Sequence, residues 1–129
     1  MNRRKRIYRK RLFVNVEDLP ALHVLIQILR CAAEAGATSV SIVARNELFV
    51  ASCSDGKSCP RRIGVNVNYR FVRAIINRVK ILSGMMLSVV DSAQVGNFAL
   101  TNKIPNISGC RVKTRPTKSG EAVRLVFVS

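Results

Sequence analysis

Tyr69-Arg-Phe-Val-Arg-Ala-Ile-Ile-Asn-Arg-Val-Lys-Ile-Leu-Ser-Gly84 carries the clearest periodicity in the chain. Val72, Ile75, Ile76, Val79 and Leu82 stand at i, i+3, i+4, i+7 and i+10, so a 3.6-residue helix aligns them as one apolar stripe. Asn68 is suited to cap its start, and Gly84 to end it in the left-handed conformation. Arg70, Arg73, Asn77 and Lys80 fall on the opposite side with no acid among them. The pattern predicts a helix over 68–84 that is core on one face and basic surface on the other.

Upstream, Glu17 and Asp18 put negative charge where a helix begins, and Pro20 suits a first turn that needs no donor. Leu22, Leu25, Ile26, Leu29 and Ala33 keep the helical period and Gly36 ends it, which predicts a helix over 19–35. His23 lies one position off that stripe and reads as a boundary residue, not a ligand. Residues 38–44 alternate, with Val40 and Ile42 on one face and Ser39 and Ser41 on the other. Arg45-Asn46-Glu47 turns the chain, 48–53 returns as a strand, and Ser54-Asp55-Gly56-Lys57 is a turn by chemistry. A short third strand is expected over 62–67.

Downstream of Gly84, residues 87–90 form an apolar connection. Strands are expected over 95–101 and 107–115, separated by Asn102-Lys103-Ile104-Pro105-Asn106, and over 121–128 after a loop at 115–120. In the last of these Val123, Leu125 and Phe127 alternate with Arg124, the signature of a sheet with one wet face. Arg111, Lys113 and Arg115 share the exposed side with Arg124. The expected architecture is α+β, two amphipathic helices packed on a mainly antiparallel sheet. It comprises one domain over 13–129 behind a flexible basic arm at 1–12.

The 129 residues, 48% of them hydrophobic, suffice for one domain with a core. Lys and Arg number 22 against 7 Asp and Glu, a net charge of +15. Seven of the cations, Arg3, Arg4, Lys5, Arg6, Arg9, Lys10 and Arg11, lie in the first eleven residues, and taking them away still leaves +8. Such a field concentrates anionic partners: nucleic acid, anionic lipid or an acidic protein surface. The basic start is not followed by a signal sequence, because Glu17-Asp18-Leu19-Pro20 interrupts the apolar run, and no stretch approaches the ~20 apolar residues of a membrane span. The expected compartment is the cytoplasm. Cys31, Cys53, Cys59 and Cys110 have no Cys-x-x-Cys spacing and there is one histidine, so no metal site is expected. Reduced thiols fit that compartment, with a Cys53–Cys59 redox pair as the minority reading.

Ala51-Ser-Cys-Ser-Asp-Gly56-Lys57-Ser58 matches the permissive phosphate-loop pattern in which Ala stands for the first Gly. That loop needs a helix starting at its Lys-Ser, whereas Cys59-Pro60-Arg61 breaks one. Met86-Leu-Ser-Val-Val-Asp91 imitates the acidic strand of nucleotide hydrolases, with too little chain after it for their sheet. Seven scattered acids and one histidine assemble no acid–base pair and no activated nucleophile, so neither catalysis nor a cofactor is expected. Tyr8, Phe13, Phe49, Tyr69, Phe71, Phe98 and Phe127 mostly interleave with core positions, so the cations imply backbone contact, not base readout.

From Leu25 onward the order of motifs resembles the N-terminal, PAS-like domain that precedes the ATPase core in type II secretion, type IV pilus and type IV secretion motor ATPases. Leu25-Ile-Gln-Ile-Leu-Arg-Cys-Ala-Ala-Glu-Ala-Gly-Ala-Thr-Ser-Val-Ser-Ile42 is similar to the family helix ending in Gly-Ala-Ser-Asp-Ile-His. Residues 48–56 resemble its strand ending in Asp-Gly, and Ala74-Ile-Ile-Asn-Arg-Val-Lys-Ile-Leu-Ser-Gly-Met85 its Arg-(Ile/Leu)-Lys helix. Gly109-Cys-Arg-Val-Lys-Thr-Arg-Pro-Thr-Lys-Ser-Gly-Glu-Ala-Val-Arg-Leu125 resembles Arg-Val-Ser-x-x-Pro-Thr-x-x-Gly-Glu-x-Val-x-Leu. The family's Asp and His become Val40 and Ser41, and its Gln-Asp-Gly-Arg becomes Gln94-Val-Gly-Asn97. In the family, arginines of this domain reach the nucleotide held by a neighbouring subunit. Arg111 keeps one such position and Asn97 replaces the other. The resemblance implies a stand-alone, degenerate relative or a piece of a longer protein, the former favoured by the basic arm.

The function expected is that of a non-catalytic protein-interaction module docking to an acidic partner or a secretion, pilus or conjugation motor subunit. The alternative is a small basic nucleic-acid binder. Candidate anion- or partner-binding residues are the seven arm cations with Arg70, Arg73, Lys80, Arg111, Lys113, Arg115 and Arg124.

Overall fold

The computed structural model describes residues 21–45, 48–57, 61–63, 69–118 and 120–129. The expected basic arm, Asn68, the 46–47 turn, Cys59 and most of the expected 62–67 strand lie outside them. The elements run α1 (Ala21–Glu34), β1 (Ser39–Arg45), β2 (Leu48–Ser54), β3 (Arg61–Ile63), α2 (Tyr69–Leu82), β4 (Gln94–Ile104), β5 (Ile107–Thr117) and β6 (Gly120–Val128). They form a six-stranded sheet of order β3-β2-β1-β6-β5-β4 in which every pairing is antiparallel. β6 is thus the one strand that joins the β1–β2–β3 half to the β4–β5 hairpin.

Glycine ends both helices as the sequence implies. Gly36 (φ 83°) and Gly84 (φ 72°) adopt the left-handed conformation. Ala37 N donates to Ala32 O at 3.0 Å and Met85 N to Lys80 O at 2.8 Å, the six-to-one bond that satisfies a free terminal carbonyl. Arg61 adds a second device at the end of α1, its guanidinium donating to Ala35 O at 3.4 Å.

Both helices bury an apolar face against one side of the sheet. On α2, Val72, Ile75, Ile76 and Val79 are buried, as the stripe predicts, but Leu82 is exposed because the helix runs past the core. On α1 the buried set is Val24, Leu25, Ile28, Leu29 and Ala32. The stripe is therefore rotated from the expected one: Leu22, Ile26 and Ala33 are only partly buried, and His23 is exposed as its position off the stripe implied. α1 is apolar around more than half its circumference, so contact with both α2 and the sheet decides which side goes deepest. Opposite them the sheet contributes Val40, Ile42, Ala51, Cys53, Phe98, Cys110, Val112, Val123 and Leu125.

The strands after α2 are longer than their periodicity shows. The expected 102–106 loop is mostly strand: Asn102 (φ 55°) marks a register irregularity between Ala99 and Ile104, and Pro105-Asn106 makes the turn, with Asn106 at φ 68°. Asn tolerates this conformation, so the chain absorbs an irregularity instead of ending the strand. The expected 115–120 loop is likewise a tight hairpin in which Thr117 pairs with Gly120.

Gly109 fixes how closely β4 and β5 approach. A Cβ there would stand 2.4 Å from Phe98 O, a backbone atom that cannot swing away. Gly109→Ala is expected to destabilise the domain by about 1–3 kcal/mol, the usual range for overpacking, read as a lower urea midpoint with an unchanged slope.

Candidate docking surface on the sheet face opposite the described helices

Side chains of directly paired residues leave an antiparallel sheet on the same face, so the registers sort the strands into two sides. The phase containing Val40, Leu125 and Val112 faces the helices. The other phase, which no described helix covers, crosses all six strands in one row: Arg62, Ser52, Ser41, Arg124, Lys113 and Val95. Arg111 and Arg115 flank Lys113 on β5, and Asn97 stands directly opposite Arg111. Arg62, Arg111, Lys113, Arg115 and Arg124 are all exposed. With strands about 4.8 Å apart and a rise of about 3.4 Å per residue, the cations of β5 and β6 fill a patch roughly 5 by 14 Å, with Arg62 about 14 Å beyond Arg124.

The charge arrangement is unfavourable as it stands. Lys113 and Arg124 are directly opposite one another. Like charges in that position repel at Cβ separations of about 5 Å. Within the described strands the one acid is Glu121, and it belongs to the helix-facing phase with Val123 and Leu125. Serines and an alanine lie among the cations, so the face offers a positively charged surface of low relief.

The cationic side expected for α2 divides differently. Arg70 and Arg78 are exposed. Lys80, expected on the surface, is fully buried: its Nζ donates to Glu121 Oε2 at 2.9 Å and Oε1 at 3.1 Å and to Val89 O at 2.7 Å, with Leu87 O at 3.4 Å. Arg73, expected to lack an acid, donates to Glu121 Oε1 at 2.7 Å with about a third of its side chain exposed. Lys80 stands one turn after Ile76 and Arg73 one turn before Asn77, so both lie on the flank of the helix that meets β6. Glu121 keeps the core phase of β6, where a carboxylate requires cations. Neither Lys80 nor Arg73 is therefore free for a partner. The sequence carried a signal for this, an acid in register with Val123 and Leu125, but charge counting along one helix does not reveal it.

No family model and no curated protein matches the chain.

Chemistry beyond charge is sparse. At the rejected phosphate-loop match, Lys57 N donates to Asp55 Oδ1 at 2.8 Å in a turn, and the next described element is the strand β3, not a helix. Among the described residues no group of three His, Cys, Asp or Glu side chains is placed to hold a metal, and no helix is long and apolar enough to cross a membrane. Cys53 and Cys110 are free thiols. Burial pushes Cys53 up, partly offset by Arg61, and pushes Cys110 up to about 12.

Cys110 is therefore expected to resist iodoacetamide at pH 8 until the domain opens, since the thiolate is the nucleophile. Its raised value also has a stability consequence. The folded state holds a proton that the unfolded state releases above its own value of 9.0, so this contribution is intact below pH 9 and falls by about 1.4 kcal/mol per pH unit towards pH 12. Urea titrations of the protein and of Cys110→Ala between pH 8 and 11 read that slope as their difference.

Of the candidate residues, Arg111, Lys113, Arg115 and Arg124 come together on one face; Arg70 is apart from them, and the arm cations lie outside the described residues. Arg62 joins the same row and was missed, because a three-residue edge strand gives too little alternation to fix its phase.

Proposed function

We propose that the chain is a non-catalytic docking module whose sheet face opposite the described helices receives an acidic protein surface, in the role that the N-terminal domain of secretion, pilus and conjugation motor ATPases plays. The observation that carries this is the directly opposed Lys113–Arg124 pair, flanked by Arg111 and Arg115, on a face to which the described strands contribute no acid. Repulsion of that kind is relieved by an anionic partner. The layering, helices on one side of an antiparallel sheet, supports the PAS-like comparison at the level of architecture, and Asn97 opposite Arg111 is where the resemblance implies a second arginine. The cytoplasm and a motor subunit as partner belong to this reading.

The competing reading, a nucleic-acid binder, uses the same cations. Single-strand binders add aromatic platforms, but Phe98 is buried and Phe71 and Phe127 pack against the core. Titration against random duplex and single-stranded oligonucleotides over a range of salt separates the two. The docking reading expects weak binding with a steep salt dependence that disappears when residues 1–11 are removed. Tight binding at physiological salt that survives arm deletion and is abolished by Lys113→Glu with Arg124→Glu would establish the nucleic-acid reading instead. A poly-glutamate peptide should bind the armless domain and lose affinity in that double variant. Lys113→Glu alone should stabilise the free domain by about 0.2–1 kcal/mol, because it turns a repulsive cross-strand pair into an attractive one.

A further inference from the structure

The large apolar side chains exposed among the described residues all fall in one fifteen-residue stretch: Ile81, Leu82, Met86, Leu87, Val90 and Val95. Met86 is 63% and Val95 74% exposed, values well above those of ordinary partly covered core residues. The stretch is displayed rather than cradled. It begins at the last turn of α2, passes through turns at Ser83-Gly84 and Leu87-Ser88, and ends on the edge strand β4. Its backbone is nonetheless held from below: Lys80 Nζ binds Val89 O, and the Gln94 side chain accepts from Met86 N at 3.0 Å and donates to Met86 O at 3.1 Å. A clamped segment with its apolar side chains directed outward is different from a frayed loop.

Cations border it. Arg78 is exposed and precedes Ile81 and Leu82 by three and four residues, so it shares their helix face. Val95 and its paired Lys113 leave the sheet on its other face, so they border the stretch only along the β4 edge. Asp91 is the one acid in the stretch and is exposed.

We infer that this stretch is a membrane-contact element, in which Met86, Leu87 and Val90 enter the interface of an anionic bilayer while Arg78 lies at its headgroups. Shallow apolar insertion and electrostatic attraction are each weak, and stable attachment to a lipid surface takes both. The chain supplies the second signal abundantly in its net +15 and its seven cations within residues 1–11. That same charge disfavours a second copy of the chain as the occupant. The inference does not depend on the docking reading, which uses Arg111, Lys113, Arg115 and Arg124 on the opposite face of the sheet.

The chain contains no tryptophan, so Leu87→Trp installs a unique fluorophore at an exposed position. Titrated with phosphatidylcholine vesicles with and without phosphatidylglycerol, this variant of the full chain should show a blue shift only on the anionic vesicles, with quenching by lipids brominated on the acyl chain. In co-sedimentation, Met86→Ser with Leu87→Ser should weaken binding at least about tenfold. Asp91→Asn should strengthen it by up to about fivefold, the effect of one charge near the surface. Thermal melts of each variant should match the parent, since the altered side chains are exposed. Unaltered affinity in the Met86, Leu87 double variant, or no quenching by the brominated lipids, would reduce the contact to electrostatics and overturn the inference. Absence of vesicle binding, as expected if a protein covers the stretch, would overturn it too. Neither result bears on the poly-glutamate assay of the sheet face.

Discussion

Glu121→Ala should destabilise the domain by about 3–5 kcal/mol, measured by urea denaturation at neutral pH, enough to abolish the folded state if total stability lies at the low end for a domain of this size. The variant removes both carboxylate oxygens that Lys80 contacts in the core and the acceptor for Arg73. Arg73 is a third exposed and can turn to water, but Lys80 has no exposed surface and keeps only the carbonyls of Leu87 and Val89. The cost is thus mostly that of an uncompensated buried ammonium. Lys80→Met combined with Glu121→Leu should recover much of the loss, because an apolar pair of similar volume needs no counter-charge. If Glu121→Ala cost less than about 1 kcal/mol, the buried ion pair would not exist in solution.

Ile76→Asp should leave no cooperative unfolding transition and no dispersed amide spectrum. Ile76 is 1% exposed between Val72 and Val79 on the stripe of α2. A carboxylate there loses the isoleucine's burial, worth about 1.5–3 kcal/mol, and either ionises unpaired in an apolar site or is held neutral at a comparable cost. Lys80 is one turn away, but Glu121 already occupies it on the β6 flank. Together these exceed what one domain of 129 residues can spare. A soluble Ile76→Asp variant with native stability would refute the orientation of the helix.

Elements with one strong period were legible from the residues alone. The α2 stripe, the glycine ends of both helices, the β1–β2 hairpin and the alternation of β6 follow from local pattern, and local pattern is what a 3.6- or two-residue period reports. The wet side of β5 and β6, with Arg111, Lys113, Arg115 and Arg124, was legible for the same reason. What failed needs the third dimension. The rotation of α1 depends on two neighbours at once, the continuation of β4 past Asn102 depends on β5 beside it, and the fate of Lys80 depends on a residue 41 positions away. A basic helix face and an ion-paired flank look identical until the strand that brings the acid is in place.

The central position of β6 bears on how the protein is made. As the chain leaves the ribosome, α1, the β1–β2–β3 half and α2 appear first, and then the β4–β5 hairpin, but these halves share no strand pairing until residues 120–128 follow them out. Until then β1 and β5 each present an unpaired edge in a translating chain, and Lys80 has no carboxylate to meet. The domain therefore completes its fold only after translation has passed Val128, and the nascent chain before that point is the species most exposed to aggregation and most dependent on chaperones.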